Sequence, residues 1–444
     1  MTGEPSAEKP GNAERGTIGA SSGRAGRGIA YSNLMLAATM RSGSLVLVTS
    51  LVAWLAASAQ QKPRARELGI PFNGTPGPLN AITDVAGVEV GQVTLIRGDG
   101  RLVRGKGPVR TGVTVIFPRG KAISDGVMAA WSTLNGNGEM TGTTWVEESG
   151  FLWGPVAITN TLSVGVVRDA VIDWAVRRKF DEFLWALPVV AETWDGGLND
   201  ITGMHVTREH AFQALDGARS GPVAEGNVGG GTGMVCHEFK GGIGTASRRL
   251  PESAGGYTVG VLVQCNYGGR RRLSIAGVPV GPQIQGYENC LALPNPEQAW
   301  LKGLPRCGST TTGQGPTPRE ERGSIIVVLA TDAPLLPHQL KRLAKRIPLA
   351  IGRMGGIGGD SSGDIFIAFS TANPGADGDS LATVRMLPNA RINPLFESTV
   401  DATEEAIVNA MVAAETMTGA DGYRVQALPT DQVLALLRRA GRVQ

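Results

Sequence analysis

The sequence predicts a mixed α/β fold, and three observations carry that expectation. Strand-length apolar runs alternate along the chain with segments whose apolar residues recur at helical spacing. Ile325–Ala330 and Ile365–Phe369 are unbroken apolar runs, as in strands covered on both faces. The composition also suits a chain with a core to bury, because 42% of the 444 residues are apolar and only 18% are charged. Gly and Pro, at 63 and 26 residues, stay below low-complexity levels, and no G-X-Y period runs through them. Collagen-like and wholly disordered readings are thereby excluded.

The elements follow in order. Residues 82–91 and 112–117 alternate or run apolar at strand length. Residues 126–134 begin a helix-like stretch that breaks at Asn135-Gly-Asn-Gly138. A short strand is expected over 155–159 and a helix over 163–179, where Val166, Val167, Ala170, Val171, Trp174 and Ala175 keep helical spacing. A strand over 187–192 ends in TWDGG, and a helix over 207–218 precedes Gly221-Pro222. The densest glycine run, GNVGGGTG at 226–233, follows. A strand is expected over 258–265. Residues 267–323 are rich in Gly, Pro, Arg, Thr and Gln and read as a linker or insertion, either functional or disordered. Strands over 324–330 and 364–370 flank a helix within 337–354. Helices over 399–417 and 429–439 close the chain, the last capped by Thr430 or Asp431.

Charge and motifs exclude several classes. Net charge is +3, and residues 1–59 carry five basic side chains against three acidic ones, leaving +1 for residues 60–444. A nucleic-acid partner needs a far stronger basic face. The run Arg270-Arg271-Arg272 reads as a solvated loop. The chain lacks GxxxxGK[ST], and the glycine run has no acidic partner at dinucleotide spacing. There is no CxxC, and His205, His210, His237 and His338 lack metal-ligand spacing, so no metal or cofactor is expected. Cys290 and Cys307 lie in a polar loop that a disulfide would close, whereas Cys236 and Cys265 sit in apolar stretches and read as buried thiols.

The N-terminal part reads as a leader. Arg41, the apolar run 44–59 and the small residues Ala57-Ser58-Ala59 follow the order of a secretory signal peptide over 40–59. Residues 1–39, rich in Gly, Ser, Ala and Arg, read as a disordered or mis-called upstream extension, with the start at Met40 or Met35. The expected location is periplasmic or secreted, without a membrane anchor once the leader is removed.

The chemistry centres on Gly323-Ser324. A serine opening a buried strand, directly after a glycine-rich linker, is a plain strand start or a residue with a task. Cleavage of the chain before it would expose a hydroxyl nucleophile together with a free α-amine able to act as its base. Such an amine titrates near ~8, close to working pH.

Seven blocks then resemble one known family. They are ITDVAGVEVGQ (82–92), NGNGEMTGTT (135–144), AETWDGGLNDI (191–201), GPVAEGNVGGGTGMV (221–235), GVLVQCNYGG (260–269), GSIIVVLATDAPLLPH (323–338) and SGDIFIAFSTA (362–372). In that order they are similar to the family of self-processing serine aminopeptidases that holds the L-aminopeptidase/D-esterases and the beta-peptidyl aminopeptidases. The resemblance covers residues 75–444.

It implies a four-layer αββα sandwich, like Ntn hydrolases in architecture but differently connected. It implies self-cleavage between Gly323 and Ser324 into an α subunit of residues 60–323 and a β subunit of residues 324–444. The two subunits would stay associated within one domain, as part of a homo-oligomer. Ser324 is then the nucleophile, Ser362 relays a hydrogen bond to its hydroxyl, and Asp364, where some relatives carry Glu, orients that pair. Asn266 supplies the oxyanion donor, and a turn-forming Asn is its plainer alternative. Glu192 would bind the substrate's free amine, with Trp194 at the pocket edge where relatives often carry Tyr. Asn135, Asn137 and Glu139 shape the pocket or only the turn. The expected substrates are short peptides or amides with a free amine, β-amino acids or small L or D residues at their N-terminus. A D-stereospecific amidase or esterase is the alternative. A periplasmic binding protein would need two similar α/β halves, and the sequence shows no such symmetry.

Overall fold

The computed structural model describes residues 62–122, 125–179, 186–309 and 322–444. The leader and the upstream extension read from the sequence lie outside the described residues. Sixteen strands occur among the described residues: β1 (Glu89–Arg97), β2 (Val109–Phe117), β3 (Val127–Thr133), β4 (Phe151–Leu152), β5 (Val156–Asn160), β6 (Val189–Thr193), β7 (Val235–Cys236), β8 (Phe239–Lys240), β9 (Gly242–Arg249), β10 (Thr258–Asn266), β11 (Cys290–Leu291), β12 (Arg322–Thr331), β13 (Ser361–Ser362), β14 (Ile365–Ser370), β15 (Met417–Thr418) and β16 (Tyr423–Val425). The helices are α1 (Thr143–Ser149), α2 (Val164–Arg177), α3 (Arg208–Asp216), α4 (Pro337–Ala344), α5 (Ile347–Arg353), α6 (Asn393–Ala413) and α7 (Thr430–Arg439).

Two sheets form the centre. One is four-stranded in the order β1-β2-β5-β6; the other is seven-stranded in the order β4-β3-β14-β12-β10-β9, with β13 pairing β12. Period-two alternation along each strand sends its side chains into two different cores. From β12, Ile326, Val328 and Ala330 join Ile116, Ile158 and Ala191 of the facing sheet in one apolar layer. Ile325, Val327 and Leu329 point the other way, against Leu340, Ile347, Ile407 and Met411 of α4, α5 and α6. On the far side of the four-stranded sheet, Val113, Val115 and Val190 pack under Val167, Val171, Trp174 and Leu215 of α2 and α3. The layer order is therefore αββα, as the resemblance implied.

Local chemistry explains the helices. Pro337 opens α4 and Pro394 sits in the first turn of α6, positions where the missing N–H costs nothing. The expected helix within 337–354 is split into α4 and α5, and Pro348 sits in the first turn of the second. The last helix starts at Thr430, but its flanking residue is Pro429 and no side chain caps it.

Three expectations are corrected. The helix-like stretch 126–134 is strand β3, whose Val127 and Ala129 face the other sheet while Met128 and Ala130 face the helices. Pairing with β14 from Ile365↔Thr133 to Ser370↔Met128 overrides a local pattern that fits either state. The segment 267–309 is not structureless: β11 pairs with β16, and Cys290 and Cys307 are disulfide-bonded with Cα atoms 5.0 Å apart. Cys236 and Cys265, read as free thiols, are also disulfide-bonded, because the loop after the glycine run brings β7 against the end of β10. Strand β9, which no sequence signal singled out, pairs with β10 along its length.

Candidate active site

The strand ends gather the candidate residues. β10 runs antiparallel to β12, which places Asn266 directly across from Ser324; β13 runs parallel to β12, which places Ser362 beside Gly323. Ser324 shares the face of Ile326, so its side chain points between the two sheets at their open end. It is 5% exposed. Its Oγ accepts a hydrogen bond of 3.1 Å from the Gly363 N–H.

The residue before it has to be glycine. Gly323 has φ of +107°, and a Cβ there would lie 1.8 Å from the Asn266 carbonyl oxygen. A side chain at this position would combine an unfavourable backbone with a direct collision.

Asp364 and Ser362 are fully buried beside this hydroxyl. Ser362 donates to Asp364 Oδ1 at 2.6 Å, and the Ile325 N–H donates to the same oxygen at 3.2 Å. In the uncut chain Ser362 donates its hydroxyl hydrogen bond to Asp364, and the Ser324 hydroxyl is held by the backbone N–H of the intervening Gly363. Asn135 completes the support, accepting the Asp364 N–H at 2.8 Å. Asn137 bonds the carbonyls of Ser361 and Ser362 through its side-chain and backbone N–H groups. Both asparagines thus hold the 359–364 loop.

Asn266 is 5% exposed and fixed at both ends of its amide. Oδ1 accepts from the Val235 N–H at 2.8 Å, and Nδ2 donates to the Trp194 carbonyl at 3.0 Å. One Nδ2 hydrogen is left for another acceptor. Its neighbour Gln264 spans the two sheets, donating to the Thr159 carbonyl and to Thr193 Oγ1.

Glu192 is the last but one residue of β6 and is 3% exposed. Oε1 accepts from the Glu139 N–H at 2.9 Å and Oε2 from the Thr161 hydroxyl. Burial raises its carboxyl above the usual range, and these two bonds oppose that shift. Glu139 itself is exposed and serves Glu192 through its backbone. Thr161 was not legible as a site residue, because it follows a strand 31 positions earlier and meets Glu192 only through the parallel pairing of β5 with β6. Asp195 is buried as well, and desolvation pushes its carboxyl up to about 7.

A cavity of about 710 Å³ opens beside Asn266 and Gly323. Its aromatic wall is Trp194, Trp300 and Tyr423, with Trp300 edge-on to both neighbours at 6.2 and 5.3 Å. Trp194 is 46% exposed, as a pocket rim requires. Trp300 lies in the segment closed by Cys290–Cys307, so the supposed linker supplies a wall of the site. Arg270, read as part of a solvated loop, is also at this cavity and stacks over Phe239 at 4.1 Å. Among the described residues no cluster of His, Cys, Asp and Glu could hold a metal ion.

A hydroxyl at a strand end, an aimed amide, a buried Ser–Asp pair and a partly desolvated carboxylate are together the parts of an acyl-transfer site. Comparison with known proteins agrees. Residues 80–425 match the model of peptidase family S58. A beta-peptidyl aminopeptidase of Sphingosinicella microcystinivorans is 54% identical over 389 residues, 87% of this chain and 95% of that protein. The solved structure of the L-aminopeptidase D-Ala-esterase/amidase of Ochrobactrum anthropi, described as a variant of the Ntn hydrolase fold, superposes with a TM-score of 0.75 at 46% identity, covering 86% of this chain and all of that one. A beta-aminopeptidase of a Burkholderia species gives a TM-score of 0.72 at 47% identity, covering 85% of this chain and 99% of that one.

Proposed function

Because the chain belongs to peptidase family S58 and is a serine aminopeptidase, we propose that it is a secreted enzyme that cleaves itself before Ser324 and then releases N-terminal residues from short peptides and amides. The observation that carries this reading is the register of Ser324 opposite Asn266, directly after a Gly323 that admits no side chain. In the uncut chain the Ser324 hydroxyl and the Gly323 carbonyl belong to adjacent residues, so the same oxygen can attack its own preceding peptide and later the substrate.

After cleavage, the Ser324 α-amine acts as base towards its own hydroxyl. The hydroxyl oxygen bonds to the substrate carbonyl carbon, and the oxyanion that forms accepts a hydrogen bond from the free N–H of Asn266 Nδ2. The proton passes to the leaving amine, which departs and leaves an acyl-Ser324 ester; water then hydrolyses the ester. One aimed donor of this kind contributes ~3 kcal/mol to the barrier reduction. Ser362 and Asp364 keep the loop that holds Ser324 in place and lend it negative charge. Glu192 receives the substrate ammonium, which makes the enzyme an exopeptidase.

Two further parts of the proposal have their own support. Preference for β-amino acids follows the names of two relatives, both beta-peptidyl aminopeptidases, while the Ochrobactrum structure keeps D-residue amides and esters as the second reading. Export through a leader over 40–59 fits a chain holding two disulfides, which persist in oxidising compartments.

The test is a gel and an N-terminal determination. Purified protein should run as two fragments, residues 60–323 and 324–444, the second beginning with Ser324. Ser324→Ala should stay a single chain without activity. Wild-type protein that is active yet uncut would overturn the mechanism.

A further inference from the structure

Residues 234–241, the hairpin that carries β7 and β8, have no part in the steps above, yet they converge on the oxyanion donor. Lys240 is fully buried, and among the described residues no charged partner offsets its desolvation, which pushes the ammonium down to about 7. Its Nζ donates to the Met234 carbonyl at 2.8 Å and to the Gly241 carbonyl at 2.7 Å. The Gly241 N–H donates to the same Met234 carbonyl at 3.0 Å. These three bonds close the neck of the hairpin, and the two donors of a neutral amine match the two carbonyls.

The hairpin is also fastened sideways. Cys236 is bonded to Cys265, the residue immediately before Asn266. The His237 N–H donates to the carbonyl of Tyr267, immediately after it, at 2.6 Å. The approach is close enough that a Cβ at Gly241 would lie 2.4 Å from the Cys265 carbonyl oxygen. Between these fastenings the Val235 N–H meets Asn266 Oδ1 at 2.8 Å.

That one N–H decides which end of the amide faces the substrate. With Oδ1 on Val235, Nδ2 lies at the Trp194 carbonyl and keeps a hydrogen for the cavity. Turned over, the amide would set donor against donor at Val235 and oxygen against oxygen at Trp194. Two buried polar groups would then be unsatisfied, at ~1–3 kcal/mol each.

We propose that the 234–241 hairpin is a positioning element for the oxyanion donor, with Lys240 holding its neck closed and Cys236–Cys265 fastening it to β10. Lys240 and the cysteines touch no substrate; they act through Val235 on Asn266. The inference rests on Asn266 being the oxyanion donor.

The experiment is a double-mutant cycle on the full-length protein. Lys240→Met and Cys236→Ala/Cys265→Ala are each measured alone and combined with Asn266→Ala, reading kcat and KM separately. Where a variant remains a single chain, its rate of conversion into two fragments is read instead. Each hairpin change should lower kcat by ~10–100-fold, as a misplaced catalytic group does, with KM within about twofold of wild type. Asn266→Ala should lower kcat by ~100–1,000-fold. In that background the hairpin changes should leave the residual rate unmoved, because the group they orient is gone. An equal fold-loss in both backgrounds would overturn the positioning role and reduce the hairpin to scaffold. A near-normal kcat for Asn266→Ala would overturn the oxyanion assignment itself, and that result is read without any hairpin variant.

Discussion

Replacing Glu192 by Gln isolates the group proposed to make this enzyme an aminopeptidase. The change preserves shape and removes the charge. At 3% exposure the carboxylate has little water to fall back on, and its two oxygens already hold the Glu139 N–H and the Thr161 hydroxyl. Losing one member of a desolvated, hydrogen-bonded charge pair costs ~2–5 kcal/mol. At 1.36 kcal/mol per decade, kcat/KM for an amine-bearing substrate should fall ~30- to ~5,000-fold. The assay compares 3-aminopropanoyl anilide with propanoyl anilide, which lacks only the amine. Wild type should favour the first strongly, and Glu192→Gln should lose that preference while treating the second as wild type does. Stability supplies a control. The folded carboxyl is raised above its unfolded value, so its stabilising contribution is present below the unfolded pKa and is lost as pH rises through the folded one. Above the folded pKa the ionised group therefore works against folding, and there the variant's Tm should hold or rise. Equal losses on both substrates would refute the ammonium assignment.

Three other outcomes are expected. Ser362→Ala removes a charge-assisted bond worth ~1.5–3 kcal/mol to a buried carboxylate and should lower kcat by ~10–150-fold at near-constant KM; a change below twofold would remove Ser362 from the mechanism. Thr161→Val deletes a bond that lowers the Glu192 pKa, so the acid limb of the kcat/KM profile should move to higher pH, and a downward move would contradict the assigned geometry. Arg248→Met breaks a buried pair with Glu405 at 2.7 Å. Because Arg66 still partners that carboxylate, the loss should lie near the lower end of ~3–5 kcal/mol, read as a reduced urea midpoint without a change in kcat. A midpoint equal to wild type would sink that estimate.

The candidate site residues were named through the resemblance of contiguous blocks; the residues alone singled out only Gly323-Ser324. Gly323-Ser324, Ser362 with Asp364, and Asn266 each end or begin an apolar run, and strand ends are where such residues can meet. The central strands were legible from the residues themselves: an unbroken apolar run of strand length has few other places to go. What escaped reading depends on pairing across long separations. β3 carries Val-Met-Ala-Ala, which suits helix or strand, and only the partner β14 decides between them. Thr161 and Lys240 gain their places from strand pairing and hairpin closure, neither of which leaves a local pattern, and the expected Cys290–Cys307 bridge did not by itself show that Trp300 would line the cavity. Composition left residues 267–323 open between a functional and a disordered segment; over 267–309 the expected Cys290–Cys307 bridge and the β11–β16 pair, which no local pattern showed, give it structure.

The strand order β3-β14-β12-β10 has a consequence for any cut before Ser324. Strands β12 and β14 of the shorter piece would lie between β10 and β3 of the longer one, hydrogen-bonded on both flanks. The seven-stranded sheet and the cores on both of its faces would be shared between the pieces. Breaking one peptide bond there would remove connectivity without removing a single interlayer contact. The pieces could come apart only by unfolding together, and pieces made separately would each lack the partner needed to fold. A permanent nick in such a molecule behaves as a covalent scar inside one cooperative unit, and its two chains inherit a common lifetime.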